Sequence, residues 1–351
     1  MRVVVLGATG NVGTSVLAAL ADEPGVDSVL GVARRLPGTQ YPKTEWAQAD
    51  VSSSELAPLF RGADVVIHLA WLIQPGRDPA LLRATNVEGS ARVFDAVAAA
   101  GVKGLVYASS VGAYSRGPKD RRVDETWPTA GIESSFYARH KAEVERLLDR
   151  FEREEPETRV VRLRPGLTFK REAASGIRRL FAGPFLPSPI VRRELIPVVP
   201  RTERLCFQAV HSDDVGDAYR RAALDDVSGP FNIAAEPVLD PAELGRLLAA
   251  RPIGVHAGLL RAGAALSYRA RLQPTDPGWL DMGLAVPLMD SGRARRELGW
   301  EPRRSATDAL EDLLTGLRER AGIDTPPLAS HSGGPLRVRE LLTRVGQKQG
   351  L

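Results

Sequence analysis

The chain has almost no cysteine: Cys206 stands alone in 351 residues, which excludes an intrachain disulfide framework and suits a reducing compartment. No apolar run is long enough to cross a bilayer, and no apolar leader precedes the first strand at Arg2. A cytoplasmic location with no membrane partner is therefore expected. Charge of one sign is also lacking, with 47 basic against 43 acidic residues and a formal net charge of +4. The arginines are scattered, without a dense basic block or interleaved aromatics, so no nucleic-acid partner is expected. His68, His140, His211, His256 and His331 form no ligand-spaced group, and with one cysteine no metal site is expected. What remains is ordinary for a globular protein, at 43% hydrophobic and 26% charged residues. The length asks for two lobes, or one large domain with additions.

Short continuous apolar runs alternate with amphipathic stretches in the first half. Strands are predicted at Val3–Leu6, Ser28–Val32, Val65–Leu69, Leu105–Ala108 and Val160–Leu163, and helices near 12–21, 79–100 and 134–154. Unbroken apolar runs suit strands buried on both faces, and the alternation implies a parallel sheet covered by helices. Regularity fails from about Gly166, where Pro184, Pro187, Pro189, Pro197 and Pro200 crowd a segment that also carries Arg192, Arg193 and Arg201. A helix from Ser212 and a strand at Phe231–Ile233 rejoin the first pattern. The expected division is a nucleotide-binding domain over 1–165 with a returning segment at about 201–235, and a smaller C-terminal substrate lobe from 166–200 and 236–322. An appendage over 323–351 holds a short helix around 338–345.

Gly7-Ala8-Thr9-Gly10-Asn11-Val12-Gly13 follows the first strand and opens the first helix. A chain that turns sharply, approaches a pyrophosphate by its backbone and packs its helix closely on the strand must avoid side chains at each step. The helix N-terminus then offers N–H groups and a positive dipole end to phosphates. About twenty residues on, an acidic side chain would bind a ribose 2′-hydroxyl. Here Ala33 is followed by Arg34 and Arg35, which can grip a 2′-phosphate, so NADP(H) is favoured and NAD(H) is the alternative.

Tyr137 and Lys141 lie four apart on one helix face. A phenol with a pKa near 10 is only about 0.1% ionised at neutral pH. A neighbouring ammonium is expected to lower that pKa and ready the group for proton transfer. Upstream, Ser109 and Ser110 end a strand, where a hydroxyl can hold a substrate oxygen. His140 lies about 100° round the helix from the pair, as a surface or supporting residue.

With these motifs the chain resembles an extended short-chain dehydrogenase/reductase, of the NAD-dependent epimerase/dehydratase superfamily. Further matches are Val66–Ala70, Asn86–Gly89, Arg164-Pro165-Gly166, Val210–Val215 and Leu298–Pro302, in the family's order over about residues 1–320. The resemblance implies a Rossmann-type doubly wound α/β fold and a catalytic set of Ser110, Tyr137 and Lys141, with Lys141 also holding the nicotinamide ribose. It implies cofactor contacts from the glycine loop, Asp50 and Val51, Leu69 and Ala70, Asn86, Ser109 and Pro165. Asp213 and Asp214 are expected to order the returning segment. A homodimer through the helices near 79–100 and 134–154 is implied as well, with Val93, Val97, Val144 and Leu148 able to face a partner or the sheet.

Three departures narrow the reaction. Dehydratases of the family carry an Asp-Glu pair where this chain has Val111 and Gly112. Nucleotide-sugar epimerases commonly carry an Asn at Leu167 and an Arg at Phe207. The expected activity is hydride transfer between nicotinamide and a carbonyl/alcohol pair of a moderately apolar small molecule. A sugar-nucleotide epimerase is the alternative, and a dinucleotide sensor without turnover a third reading.

Overall fold

The computed structural model describes residues 1–74, 76–181 and 197–330. Pro184, Pro187, Pro189, Arg192, Arg193, His331 and the helix expected around 338–345 lie outside the described residues.

β1 (Arg2–Leu6) explains why the sheet is covered on both sides. Val3 and Val5 join one hydrophobic cluster and Val4 and Leu6 another, so neighbouring residues bury on opposite faces. The chain continues through α1 (Asn11–Ala21), β2 (Ser28–Ala33), β3 (Thr44–Gln48), α2 (Ala57–Phe60) and β4 (Val65–His68). Then come α3 (Pro79–Arg83), α4 (Gly89–Ala100), β5 (Gly104–Ala108), β6 (Arg122–Val123), α5 (Phe136–Glu154) and β7 (Arg159–Pro165). After β7 come β8 (Leu167–Phe169), α6 (Ala174–Phe181), β9 (Val198–Arg201), β10 (Ala209–His211), α7 (Ser212–Leu224) and β11 (Gly229–Ile233). The remainder is α8 (Pro241–Leu248), β12 (Arg251–Gly254), α9 (Ala257–Arg269), α10 (Gly278–Ala285), β13 (Leu288–Met289), α11 (Gly292–Glu297) and α12 (Ala306–Glu319).

Seven strands form one parallel sheet in the order β11-β7-β5-β4-β1-β2-β3. The order reverses between β1 and β4, and the crevice beyond their carboxyl ends is where such folds bind ligands. The expected doubly wound sheet is present. β3 has no apolar run because it is a half-covered edge strand, Thr-Glu-Trp-Ala-Gln, paired on one side only. The stretch 79–100 is not one regular α-helix, since a π-helical turn, Ala84–Glu88, joins α3 to α4.

The residues that could have faced a partner do not. Val93, Val97, Val144 and Leu148 are each 0% exposed and pack in the cluster beneath the sheet. Opposite, α7 lies so close on α1 that a Cβ on Gly216 would come within 2.7 Å of the Ser15 carbonyl oxygen. Asp213 accepts the Ser15 hydroxyl at 2.8 Å, and Asp214 accepts the backbone N–H of Arg304 while its carbonyl takes the indole N–H of buried Trp300. Both aspartates thus order the returning segment.

Candidate active site

At the crevice the chain turns through Gly7 with φ +80°, and a Cβ there would stand 2.8 Å from the Ala70 nitrogen. The loop therefore seats directly on Leu69 and Ala70, beyond β4. A Cβ on Gly13 would lie 2.4 Å from the Gly7 carbonyl oxygen, so only glycine lets α1 pack against the turn. Gly10 caps α1 without a side-chain hydrogen bond, leaving the first-turn N–H groups of Asn11, Val12 and Gly13 uncapped by side chains. Thr9 is buried beside them, and the Asn11 Oδ1 is a buried acceptor without a partner. An uncapped helix start over a glycine cradle, with an orphaned polar atom beside it, fits a dinucleotide pyrophosphate.

Below the loop, Asn11 donates to the Thr168 carbonyl at 3.0 Å, and buried Lys170 donates to Thr14 and Ser15 at 2.6 and 2.9 Å. Burial draws the Lys170 pKa down to about 8, against the pull of Asp213 and Glu172. This strut was not anticipated from sequence, where Lys170 stands beside Arg171 in an irregular stretch. Arg34 and Arg35 are exposed directly after β2. Asp50 begins a turn beyond β3, accepting Ser52 N–H and hydroxyl at 2.9 and 2.7 Å, and Val51 packs on the start of α4. The Asn86 amide exchanges two hydrogen bonds with the Leu72 backbone, at 2.7 and 2.8 Å, from within the π-turn. It thereby holds the chain just beyond Leu69 and Ala70. Pro165 ends β7 opposite Ile233.

Replacement of Gly13 by valine is expected to abolish binding of the nicotinamide dinucleotide, NADH or NADPH, in a fluorescence titration. Gly25→Ala should leave binding unchanged, because its Cβ would meet nothing closer than 3.5 Å. Binding that survives in Gly13→Val would mean that the loop is not the pyrophosphate seat.

α5 starts at Ser135, whose hydroxyl caps the Ala138 N–H, and it carries Tyr137, Lys141 and Glu145 as one stripe. The Tyr137 ring stacks on Trp279 at 4.7 Å and meets Trp71 edge-on at 5.9 Å. Ser110, buried at the end of β5, accepts the Gly112 N–H at 3.0 Å, so its own proton remains to donate. A Cβ on Gly112 would press to 2.9 Å on both the Tyr137 ring and the Met282 sulfur. No carboxylate of the dehydratase type fits there without moving the phenol.

The expected lowering of the phenol pKa by Lys141 is not met in this arrangement. Burial raises the Tyr137 pKa, with Ser110 pulling the other way. The Lys141 Nζ instead donates to the Ala108 carbonyl at 2.6 Å and rests 3.4 Å over the Trp71 ring. It lies 5.8 Å from the centre of the Tyr137 ring. Burial lowers the Lys141 pKa well below the usual lysine range, and Glu145 opposes that. His68 donates to or accepts from Ser90 at 3.0 Å, and burial followed by Lys141 draws its pKa down to about 3, so it is neutral. His140 is a supporting residue, buried edge-on to Phe136 with its pKa lowered by burial to about 4.

Glu145 was missed from sequence, although its place four residues after Lys141 was a signal. It accepts the Ser109 hydroxyl at 2.5 Å and holds Arg162 at 3.0 Å and Arg164 at 2.8 Å, all buried. Arg164 also donates to Tyr114, whose hydroxyl donates to Asn232. The network ties the serine turn to α5, β7 and β11. Trp71 and Trp279 were missed as well, and no local pattern marks them. Among the described residues, no three His, Cys, Asp or Glu side chains gather to hold a metal.

Known proteins resemble the chain in sequence and in fold. An uncharacterized protein of Mycobacterium tuberculosis is 28% identical over 326 residues, covering 92% of this chain and 31% of that protein. This chain thus spans about a third of that relative's length. The decarboxylating sterol-4-alpha-carboxylate 3-dehydrogenase of Saccharomyces cerevisiae is 27% identical over 179 residues, 51% of this chain and 46% of that enzyme. In fold, the chain is similar to the UDP-glucose 4-epimerase of Thermotoga maritima solved with UDP-glucose, at TM-score 0.69 and 21% identity, covering 91% of this chain and 99% of that one. The Bacillus cereus UDP-glucuronic acid 4-epimerase, solved with UDP-glucuronic acid and NAD, gives 0.66 and 17% over the same shares. Residues 3–234 match the model of the NAD dependent epimerase/dehydratase family, and the chain belongs to that family.

Proposed function

We infer that the protein is an NAD(P)-dependent oxidoreductase interconverting a carbonyl and an alcohol on an apolar small molecule. The observation that carries this reading is the setting of Tyr137, a phenol beside Ser110 and walled by Trp71, Trp279 and Met282. Leu167 and Phe207 replace the amide and cation common in nucleotide-sugar epimerases. Leu167 is 38% exposed, and Phe207 pairs its backbone with Leu239 and packs on the core. Neither can hold a diphosphate. A sterol dehydrogenase among the relatives supports an apolar alcohol as substrate.

The nicotinamide, when bound, supplies or accepts the hydride. Ser110 donates to the substrate oxygen and steadies charge developing on it. Tyr137 gives that oxygen a proton in reduction and takes it back in oxidation; its raised pKa keeps the phenol in the donating form. Lys141, set against Ala108 and Trp71, brings its amine to the side of the cleft where the nicotinamide ribose would lie.

Purified protein offered alicyclic ketones is expected to consume NADPH, and UDP-glucose is expected to be left unchanged. Protein that carries tightly held NAD and isomerises UDP-glucose without net NAD(P)H change would replace this reading with the epimerase. Binding without turnover of either substrate class would favour a sensor. NADPH is the proposed partner because Ala33 stands where a carboxylate would otherwise meet the ribose, and the exposed Arg34 and Arg35 follow it. In Arg34→Ala/Arg35→Ala the preference for NADPH over NADH should fall at least about tenfold, since charge-assisted bonds to a phosphate are worth roughly 1.5–3 kcal/mol each. An unchanged ratio of kcat/KM values would sink the assignment.

A further inference from the structure

α9 lies on the surface with none of its residues buried. Leu259 and Leu266, 69% and 70% exposed, are two turns apart on one face. Ile253 just before the helix and Leu272 just after it are 49% and 52% exposed. Single exposed leucines are unremarkable, but four large exposed apolar side chains in and around one helix call for an occupant.

The charges of the same stretch name one. Between Arg251 and Thr275 there are four arginines, Arg251, Arg261, Arg269 and Arg271, and no aspartate or glutamate. All four are exposed. Arg261 pairs with Asp281 at 2.8 and 3.0 Å, which leaves three arginines flanking the leucine face outside that pair. A second copy docked here by two-fold symmetry would set these arginines against one another with no carboxylate from the stretch between them. An anionic bilayer satisfies both features, because leucines enter the acyl boundary while guanidinium groups meet headgroup phosphates.

We propose that α9 and its flanks form a peripheral docking surface for anionic lipid bilayers. The expectation of no membrane partner rested on the lack of a spanning run. Among the described residues no helix is long and apolar enough to cross a membrane, and a helix lying in the interface needs no such length. The helix is also linked, through Phe181, to the wall of the candidate site. Ala264 and Ser267 on its inner side line a cavity with Phe181 and Leu280, and Phe181 packs on Trp279 at 4.9 Å. The surface stands on exposure and charge, and does not depend on the catalytic reading.

The test is co-sedimentation of the full chain with phosphatidylcholine vesicles with and without phosphatidylglycerol. Binding is expected only with the anionic lipid, and it should weaken as salt rises. Leu259→Glu/Leu266→Glu should abolish it, and Arg269→Glu/Arg271→Glu should weaken it at least about fivefold per arginine. An unchanged circular-dichroism spectrum and melting temperature in each variant verify the fold. The proposal is overturned if the wild-type chain stays in the supernatant with anionic vesicles, or if the leucine variant sediments as well as wild type. A leucine variant that turns a dimer into a monomer in sedimentation velocity, with no vesicle binding by either form, would instead make this face a self-contact.

Discussion

Replacing Tyr137 by phenylalanine is expected to lower kcat by about 10²–10⁴-fold, the usual contribution of a positioned proton donor. The substitution removes one hydroxyl and keeps the ring that stacks on Trp279 at 4.7 Å and meets Trp71 at 5.9 Å. Fold, cofactor binding and the substrate wall should therefore survive, and the loss should fall on kcat more than on KM. Stopped-flow oxidation of NADPH with a turned-over ketone, beside a fluorescence titration for NADPH, separates the two effects. Turnover near that of wild type would place the proton source elsewhere in the cleft. Ser110→Ala should also lower kcat if, as proposed, its hydroxyl holds the same oxygen; a variant of Ser109, whose hydroxyl is spent on Glu145, should instead act through stability.

Loss of Glu145 is expected to be the most damaging single change to stability, at about 3–5 kcal/mol for Glu145→Ala. The carboxylate is 1% exposed and lies between Arg162 and Arg164, themselves 5% and 4% exposed. Removing it leaves two buried guanidinium groups: Arg162 keeps ion pairs with Asp149 at 2.6 Å and Glu152, whereas Arg164 keeps hydrogen bonds to the Tyr114 hydroxyl and the Glu125 carbonyl. Urea unfolding followed by circular dichroism measures the change, and a shift under about 1 kcal/mol, the scale of an exposed pair, would refute the buried-network account. The pH dependence has a definite sign. Burial alone would raise the Glu145 pKa, but Arg164, Arg162 and Ser109 outweigh it and draw the value from 4.5 down to about 2. A depressed carboxylate stabilises the folded state fully above its unfolded pKa and loses that contribution as pH falls through the folded value. Glu145 should therefore help hold the wild-type fold above about pH 4.5 and cease to do so progressively toward pH 2. In Glu145→Gln that part of the acid sensitivity should disappear.

The sequence by itself determined the features that short stretches of backbone encode. The glycine loop was legible because a turn at positive φ and a close helix start both forbid a Cβ, at Gly7 and at Gly13, within seven consecutive residues. The central strands were legible because burial on both faces demands unbroken apolar runs, as in Val3–Leu6. The half-covered edge strand β3 escaped for the same reason. Tyr137 and Lys141 could be paired because helical periodicity alone puts them on one face.

Only the tertiary structure decided what surrounds that pair. Trp71 enters from the loop after β4 and Trp279 from α10, more than a hundred residues further along than Tyr137, and no local periodicity announces either. The same packing sends the Lys141 ammonium to the Ala108 carbonyl and the Trp71 face, so burial rather than the lysine sets the Tyr137 pKa. It also turned Val93, Val97, Val144 and Leu148 inward to the sheet, a choice that a helical pattern leaves open because a partner's surface and the chain's own core demand the same apolar stripe. Local geometry is written in neighbouring residues; the electrostatics of a buried site depends on which distant side chains close over it and shut out water.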